Sequence, residues 1–219
     1  MSLVARAQKL LASEGLPGLL GGIARSARGP MRRLYSTGDF LIHEFDLLSL
    51  PVEYPFPVPE QIEVHVIESR ADAVHLAGAG YEDFRQVVPR SDYRLRSGAV
   101  GFCAYIGRRV VHTSWVGFSE RAKRSFDSVP FVVHFDHGEG ASGGTWTFPA
   151  YRGRGIYRYV MWHRLWYLRE HGCTVSRDST KIDNLPAIRG QAVFPSRIVG
   201  TLKIRRAFGR VRTEFLDRG

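Results

Sequence analysis

The stretch Gly144-Thr145-Trp146-Thr147-Phe148-Pro149-Ala150-Tyr151-Arg152-Gly153-Arg154-Gly155-Ile156-Tyr157 organises the rest of the chain. A strand-like run over 143–148 leads into a turn with two glycines, and an aromatic helical run over 157–171 follows it. Gly153 and Gly155 let the backbone turn tightly, so that several amides converge on an anion at the positive end of the following helix. Arg152 and Arg154 add charge to the same place. A glycine-rich turn by itself is weak evidence, because Gly and Arg are ordinary in solvated strand-to-helix connections. The strand before it and the long helix after it make it a phosphate cradle.

With these flanks, residues 144–157 resemble the acyl-CoA-binding motif of the GNAT superfamily of N-acyltransferases. In that family a strand, often ending in proline, runs into an Arg/Gln-x-x-Gly-x-Gly/Ala loop and then a long helix. Arg152 and Gly155 match the pattern, while Tyr157 stands where Gly or Ala is usual. A tyrosine amide still donates a hydrogen bond. The resemblance implies that Thr147, Phe148, Arg152, Gly153, Arg154, Gly155, Ile156 and Tyr157 hold acetyl-CoA or another acyl-CoA.

A second match lies at Asp183-Asn184-Leu185-Pro186-Ala187. Many family members place an Asn-x-x-Ala/Ser here, with the Asn on the pantetheine arm, which adds Asn184 to the cofactor set. Asn184 before Pro186 is also a competent helix cap without any ligand, and both readings stand. The tyrosine that the family often places seven residues later, as the acid for the leaving thiolate, is Gln191 here.

Composition bounds the rest. With 219 residues, 44% of them hydrophobic and 24% charged, the chain is globular and has room for one domain of roughly 150 residues plus an appendage. Cys103 and Cys173 show neither metal spacing nor a disulfide framework and read as buried small hydrophobes. No stretch reaches the roughly 20 apolar residues of a membrane span. Arg6, Lys9 and Glu14 interrupt any secretory pattern, so the expected location is the cytoplasm.

The net charge is +10. Residues 1–33 carry six basic side chains against one acid, and residues 197–219 carry seven against two. Such ends suit anionic partners: cofactor phosphates, a nucleotide-linked substrate, RNA or an acidic lipid surface. DNA is not expected.

Along the chain, helical runs at 3–11 and 19–27 suit either packing, on the enzyme body or on a second copy in a homodimer, or a peripheral membrane contact through residues 1–33. A strand-like run at 40–50 and a four-proline connector at 51–59 follow, and the domain boundary is expected near Glu60. The division is therefore 1–60, a basic helical segment with its connector, and 61–219, the acyltransferase-like domain. Within the latter we expect a strand from Ile62, a helix over 71–88 weakened by Gly78 and Gly80, and a hairpin of 99–106 with 109–118 about Gly107-Arg108. A polar loop at 119–128, a strand at 130–135 and, after the motif helix, a strand at 173–179 come next. A short helix at 184–193 and a basic strand pair over 198–215 close the order. It resembles an α/β (α+β) GNAT-like fold: a mixed central sheet flanked by helices, with an N-terminal helical appendage.

The implied activity is attack of a neutral amine on a thioester, the acceptor being a small amine such as an amino sugar or a nucleotide-linked compound. Backbone amides would polarise the carbonyl while a base removes the ammonium proton. The candidate bases are His134 and Asp136, which share one face of a strand-like segment, with His112 and Asp178 as alternatives. His134 and His137 alone are too few ligands for a metal, and none is expected. Two other readings remain: a catalytically silent GNAT-like protein that binds RNA or acidic lipid, and an aminoacyl-tRNA-dependent transferase, which would not need the loop at Arg152. Trp162 and Trp166 read as core on the motif helix. Trp146 faces away from Thr145 and Thr147.

Overall fold

The computed structural model describes residues 35–208 and 210–217, so the helices expected at 3–11 and 19–27 lie outside the described residues. The described chain falls into two compact units, 40–202 with 216–217, and 35–39 with 203–208 and 210–215. The smaller consists of strand segments, in which Lys203 pairs with Glu214 at 3.8 Å.

Local chemistry explains most elements of the larger unit. After β1 (Tyr35–Asp46) and the proline-rich connector comes β2 (Ile62–Ile67). Helix α1 (Arg70–Gly78) opens with a capping box: the Ser69 side chain accepts from the Asp72 amide, and the Asp72 carboxylate accepts from the Ser69 amide. The helix expected over 71–88 is two pieces. Gly80 takes φ +87°, and Asp83 then caps α2 (Phe84–Val87). After α3 (Ser91–Arg96), strands β3 (Val100–Ile106) and β4 (Arg109–Gly117) form the expected hairpin. Gly107 and Arg108 both have positive φ, the requirement of a type I′ turn.

Two expectations are corrected. Residues 119–128 are not a polar loop but hold α4 (Glu120–Phe126), because Ser119 accepts from the Ala122 amide at 3.2 Å and the helix buries Ala122 and Ser125. Residues 130–135 form no strand. Phe131 and Val133 alternate inward, but no strand pairs with them, and Phe135–His137 closes a 3-10 turn. Strand β5 (Glu139–Thr147) follows, then helix α5 (Ile156–Glu170), β6 (Val175–Lys181), helix α6 (Leu185–Gln191) and β7 (Ser196–Ala207), with β8 (Arg210–Asp217) last.

In the larger unit the strands are ordered β2-β3-β4-β5-β6-β1-β7. β1 pairs antiparallel with β6, Phe40 facing Lys181 and Asp46 facing Val175. Of the segment at 40–50, expected ahead of a boundary near Glu60, residues 40–46 are therefore an interior strand of the sheet, and 47–50 turn after it. Its apolar residues Leu41, Ile42 and Phe45 are buried, which the connector at 51–59 does not alter.

Helices cover both faces. On one, α5 sets Ile156, Val160, Met161, Leu165 and Leu168 at helical spacing against Phe45, Phe102 and Ala104. On the other, Leu76, Phe84, Leu95 and Ala122 of α1 to α4 cover Cys103, Tyr105 and Trp115. Phe102 and Ala104 face one layer while Cys103 and Tyr105 face the other, the period-two alternation of a strand buried on both sides. Trp162 and Trp166 pack partly buried on the first cluster, and both cysteines are buried and free. Among the described residues no helix is long and apolar enough to cross a membrane.

Candidate active site

Strands β5 and β6 run parallel and pair only from Glu139 with Val175 to Ala141 with Arg177. Beyond that point they part. On its other side β5 carries a bulge: Trp115 pairs with Gly143 but Thr113 with Trp146, so β5 spends three steps on two of β4. Gly143 and Gly144, at φ +152° and +59°, absorb the extra residue. Between the diverging strands opens a cleft of about 840 Å³, with residues 143–147 on one wall and 178–181 on the other. That size suits a small-molecule site.

The loop after β5 closes one end of the cleft. Gly153 and Gly155 take φ +78° and +76°, the left-handed region open to glycine, and no side chain caps the start of α5. Its first-turn amides therefore face the cleft without an internal partner. An added Cβ on Gly153 would meet nothing within 4 Å and one on Gly155 only Pro59 at 3.8 Å. The glycines thus serve backbone conformation and an open approach, not packing. Arg152, Arg158, Lys181 and Arg189 line the cleft, and Asp178 is the one acid among the lining residues. An uncapped helix start, an open glycine turn and the neighbouring cations Arg152 and Arg158 suit a polyphosphate.

Of the residues that the resemblance assigns to the cofactor, Thr147, Arg152, Gly153, Gly155, Ile156, Tyr157 and Asn184 line the cleft. Phe148 and Arg154 do not. Phe148 packs on the cluster beneath α1 to α4, and Arg154 lies over the Tyr151 ring. The Arg152 guanidinium stacks on Trp146 and donates to the Thr147 carbonyl at 3.1 Å, while Trp146, half exposed, joins the cleft wall. Asn184 caps α6 by accepting from the Ala187 amide at 3.4 Å, and it also lines the cleft.

The candidate bases separate. His134 and Asp136 are exposed on the 3-10 turn that precedes β5. Nine residues of strand stand between that turn and the loop, about 26 Å at a rise of about 3.3 Å per residue. They do not line the cleft. The expectation that they share a strand face fails with the strand itself. His112 is fully buried on β4, with its Nδ1 2.7 Å from Thr147 Oγ1, and its Nε2 has no partner among the described residues. Burial pulls its pKa down to about 3, with Arg164 adding to the effect. It is a neutral ring that steadies Thr147 from behind the wall.

Asp178 lies at the closed end of the cleft, one residue past the last β5–β6 pair. Its Oδ2 accepts from Arg164 Nη2 at 2.9 Å and from Gln191 Nε2 at 3.3 Å. Arg164 is itself fully buried and also donates to Thr145 Oγ1 at 2.8 Å. Burial of the carboxyl outweighs the attraction of Arg164 and raises its pKa to about 7. Tyr157 completes the group. Its ring packs so closely on α6 that a Cβ on Gly190 would stand 2.5 Å from it, and its phenol, pushed upward chiefly by burial, neighbours Arg164 and Gln191. Neither Arg164 nor Gln191 was expected to matter to the site in this way. The faint signal was an arginine on the otherwise apolar stripe of α5, four residues after Val160.

Solved structures with a similar chain trace include acetyltransferases of the GNAT family. One, from Novosphingobium aromaticivorans, is 16% identical over 77% of this chain and 63% of its own, with a TM-score of 0.48. Another, from Colwellia psychrerythraea, is 13% identical over 89% and 62%, at 0.49. A Drosophila protein is 10% identical over 87% and 59%, at 0.51. At such identities the likeness concerns the fold alone. This chain spans about three fifths of the length of these solved chains, so the activity, substrates and partners of the whole protein are matters of proposal. No protein-family profile and no curated protein matches the sequence.

Proposed function

We propose that this GNAT-like chain is an acyl-CoA-dependent N-acyltransferase that moves an acetyl or longer acyl group to the amine of a small acceptor. The observation that carries the reading is the joining of two features in one cleft: an uncapped helix start behind Gly153 and Gly155, and a sheet that splits beside it. The first suits the pyrophosphate of CoA. The second makes room for an extended arm to pass between strands, bringing a thioester towards the bulge at 143–146. Amides of the β5 wall would polarise its carbonyl. A thioester is already activated, so positioning contributes much of the rate.

Lys181 and Arg189 line the β6 and α6 side of the cleft. They favour an anionic acceptor, such as a nucleotide-linked amine or an acidic amino sugar. The test is calorimetric titration with acetyl-CoA and longer acyl-CoAs, on the wild type and on Gly155→Glu, which sets a carboxylate in the cradle. Micromolar binding that the variant loses supports the reading. A folded wild type that binds none of them refutes it and leaves RNA and acidic lipid as the ligands to try.

A further inference from the structure

We propose that Asp178 carries the single proton of the acyl transfer, taking it from the amine nitrogen and handing it to the departing sulfur through its free oxygen, Oδ1. The assignment rests on the acyltransferase reading above, and the geometry of the carboxylate supports it. Oδ2 is held from two sides, by Arg164 and Gln191. Oδ1 has no hydrogen-bond partner among the described residues. It lies 3.5 Å from where a Cβ on Gly143 would stand, an ordinary van der Waals contact, so a side chain at that bulge position would cover part of it and the glycine leaves it open. Because β5 and β6 stop pairing at Ala141 and Arg177, this oxygen stands where the two walls of the cleft meet.

The step balances without any further reactant. The amine lone pair forms the C–N bond at the thioester carbonyl carbon, and Asp178 accepts the N–H proton. As the C–S bond breaks with its electron pair on sulfur, the same carboxylic acid protonates that sulfur. The products are an amide and a thiol, and the carboxylate is restored. A group that must act first as base and then as acid works best with a pKa near the operating pH, and burial brings Asp178 to about 7. An ordinary thiol, at about 8.5, then accepts its proton downhill.

The surrounding groups fit this role. Arg164 on α5 attracts the charge, while Asp127, after α4, opposes it. His43 on β1, opposite Asp178 in register, and His112 on β4 are lowered by burial to about 4 and about 3 and carry no charge near neutrality. The Tyr157 phenol is pushed far above a thiol. It is too weak an acid to give up its proton and serves instead to position Gln191 and the carboxylate.

Two readouts test the assignment. The first is the carboxyl carbon of Asp178, followed by NMR in protein labelled with carboxyl-13C aspartate and assigned by its loss in Asp178→Asn. It titrates near pH 7, and a midpoint below pH 5 overturns the proposal whether or not an acceptor is known. The second is thiol release from acetyl-CoA with hydroxylamine as the amine, corrected for the uncatalysed rate, beside calorimetry of acetyl-CoA binding. Asp178→Asn binds as the wild type does, turns over 10²–10⁴-fold more slowly and loses the acid limb of the rate profile. An unchanged rate and limb in a variant that binds acetyl-CoA overturns the proton-carrier role alone. A wild type that binds no acyl-CoA refutes the acyltransferase reading itself.

Discussion

Replacing Arg164 by Met removes the fully buried guanidinium that faces Asp178 at 2.9 Å and leaves a side chain of similar length in its place. The cost depends on pH, and the sign follows from the carboxyl. Between the unfolded value of about 3.8 and the folded value of about 7, Asp178 is protonated in the fold and ionised in the unfolded chain. In that window it makes stability fall as pH rises, equally in wild type and variant. Above pH 7 the wild-type carboxylate ionises beside Arg164 and the slope vanishes. Without Arg164 the folded pKa rises further, so the variant goes on losing about 1.4 kcal/mol per pH unit until its own higher pKa is reached.

At pH 6 the expected loss is that of hydrogen bonds to Thr145 and the neutral acid, about 1–3 kcal/mol. At pH 8.5 a further 2 kcal/mol or so is added, which brings the total to the roughly 3–5 kcal/mol typical of breaking one side of a buried pair. Urea unfolding at 25 °C, at half-unit steps from pH 6 to 9, measures the difference. An equal ΔΔG at both ends would refute the claim that burial poises Asp178 near neutrality.

Acidification should expose the opposite linkage. His43 and His112 have folded pKa values below the unfolded 6.5, at about 4 and about 3, so their contribution to stability is present above pH 6.5 and is lost as the unfolded chain takes up two protons below it. Asp178, binding one proton in the fold, offsets half of this down to about pH 4, and Asp178→Asn should steepen the decline by about 1.4 kcal/mol per pH unit in urea titrations between pH 6.5 and 4.5. Gly190→Ala would set a methyl 2.5 Å from the Tyr157 ring. A loss of about 1–3 kcal/mol by urea unfolding is expected, and a change within 0.3 kcal/mol would mean that the ring is not seated there. Ser119→Ala removes the cap of α4 and should lower stability by about 1 kcal/mol. No loss would mean that the helix at 120–126 does not depend on it.

Much of the cleft was legible because its parts are local. The turn at Gly153 and Gly155 follows from which residues tolerate positive φ, the hairpin about Gly107-Arg108 from the same rule, and α5 from its 3.6-residue periodicity. Asn184 was readable as a cap from its spacing to Pro186 alone. The same local reasoning failed at 119–128, where polar residues on the exposed side of α4 concealed a buried Ala122. It failed again at 130–135, where inward alternation met no pairing strand. Alternation indicates which side of a segment is buried and is silent on whether a neighbour supplies hydrogen bonds.

The sequence by itself determined the glycine turn, the helix that follows it and the order of most strands, since each depends on residues within a few positions of one another. Tertiary structure alone decided that β1 lies between β6 and β7, that pairing of β5 with β6 ends at Ala141, and that Arg164, Asp178 and Gln191 meet at the end of the cleft. The bases favoured by sequence, His134 and Asp136, form a polar cluster before the first residue of β5, and neither lines the cleft. Asp178 was one acid in a polar strand until packing set it against a buried arginine. Burial and the opposing charge, which set a carboxyl's affinity for its proton, are properties of the folded neighbourhood and are not written in any single segment.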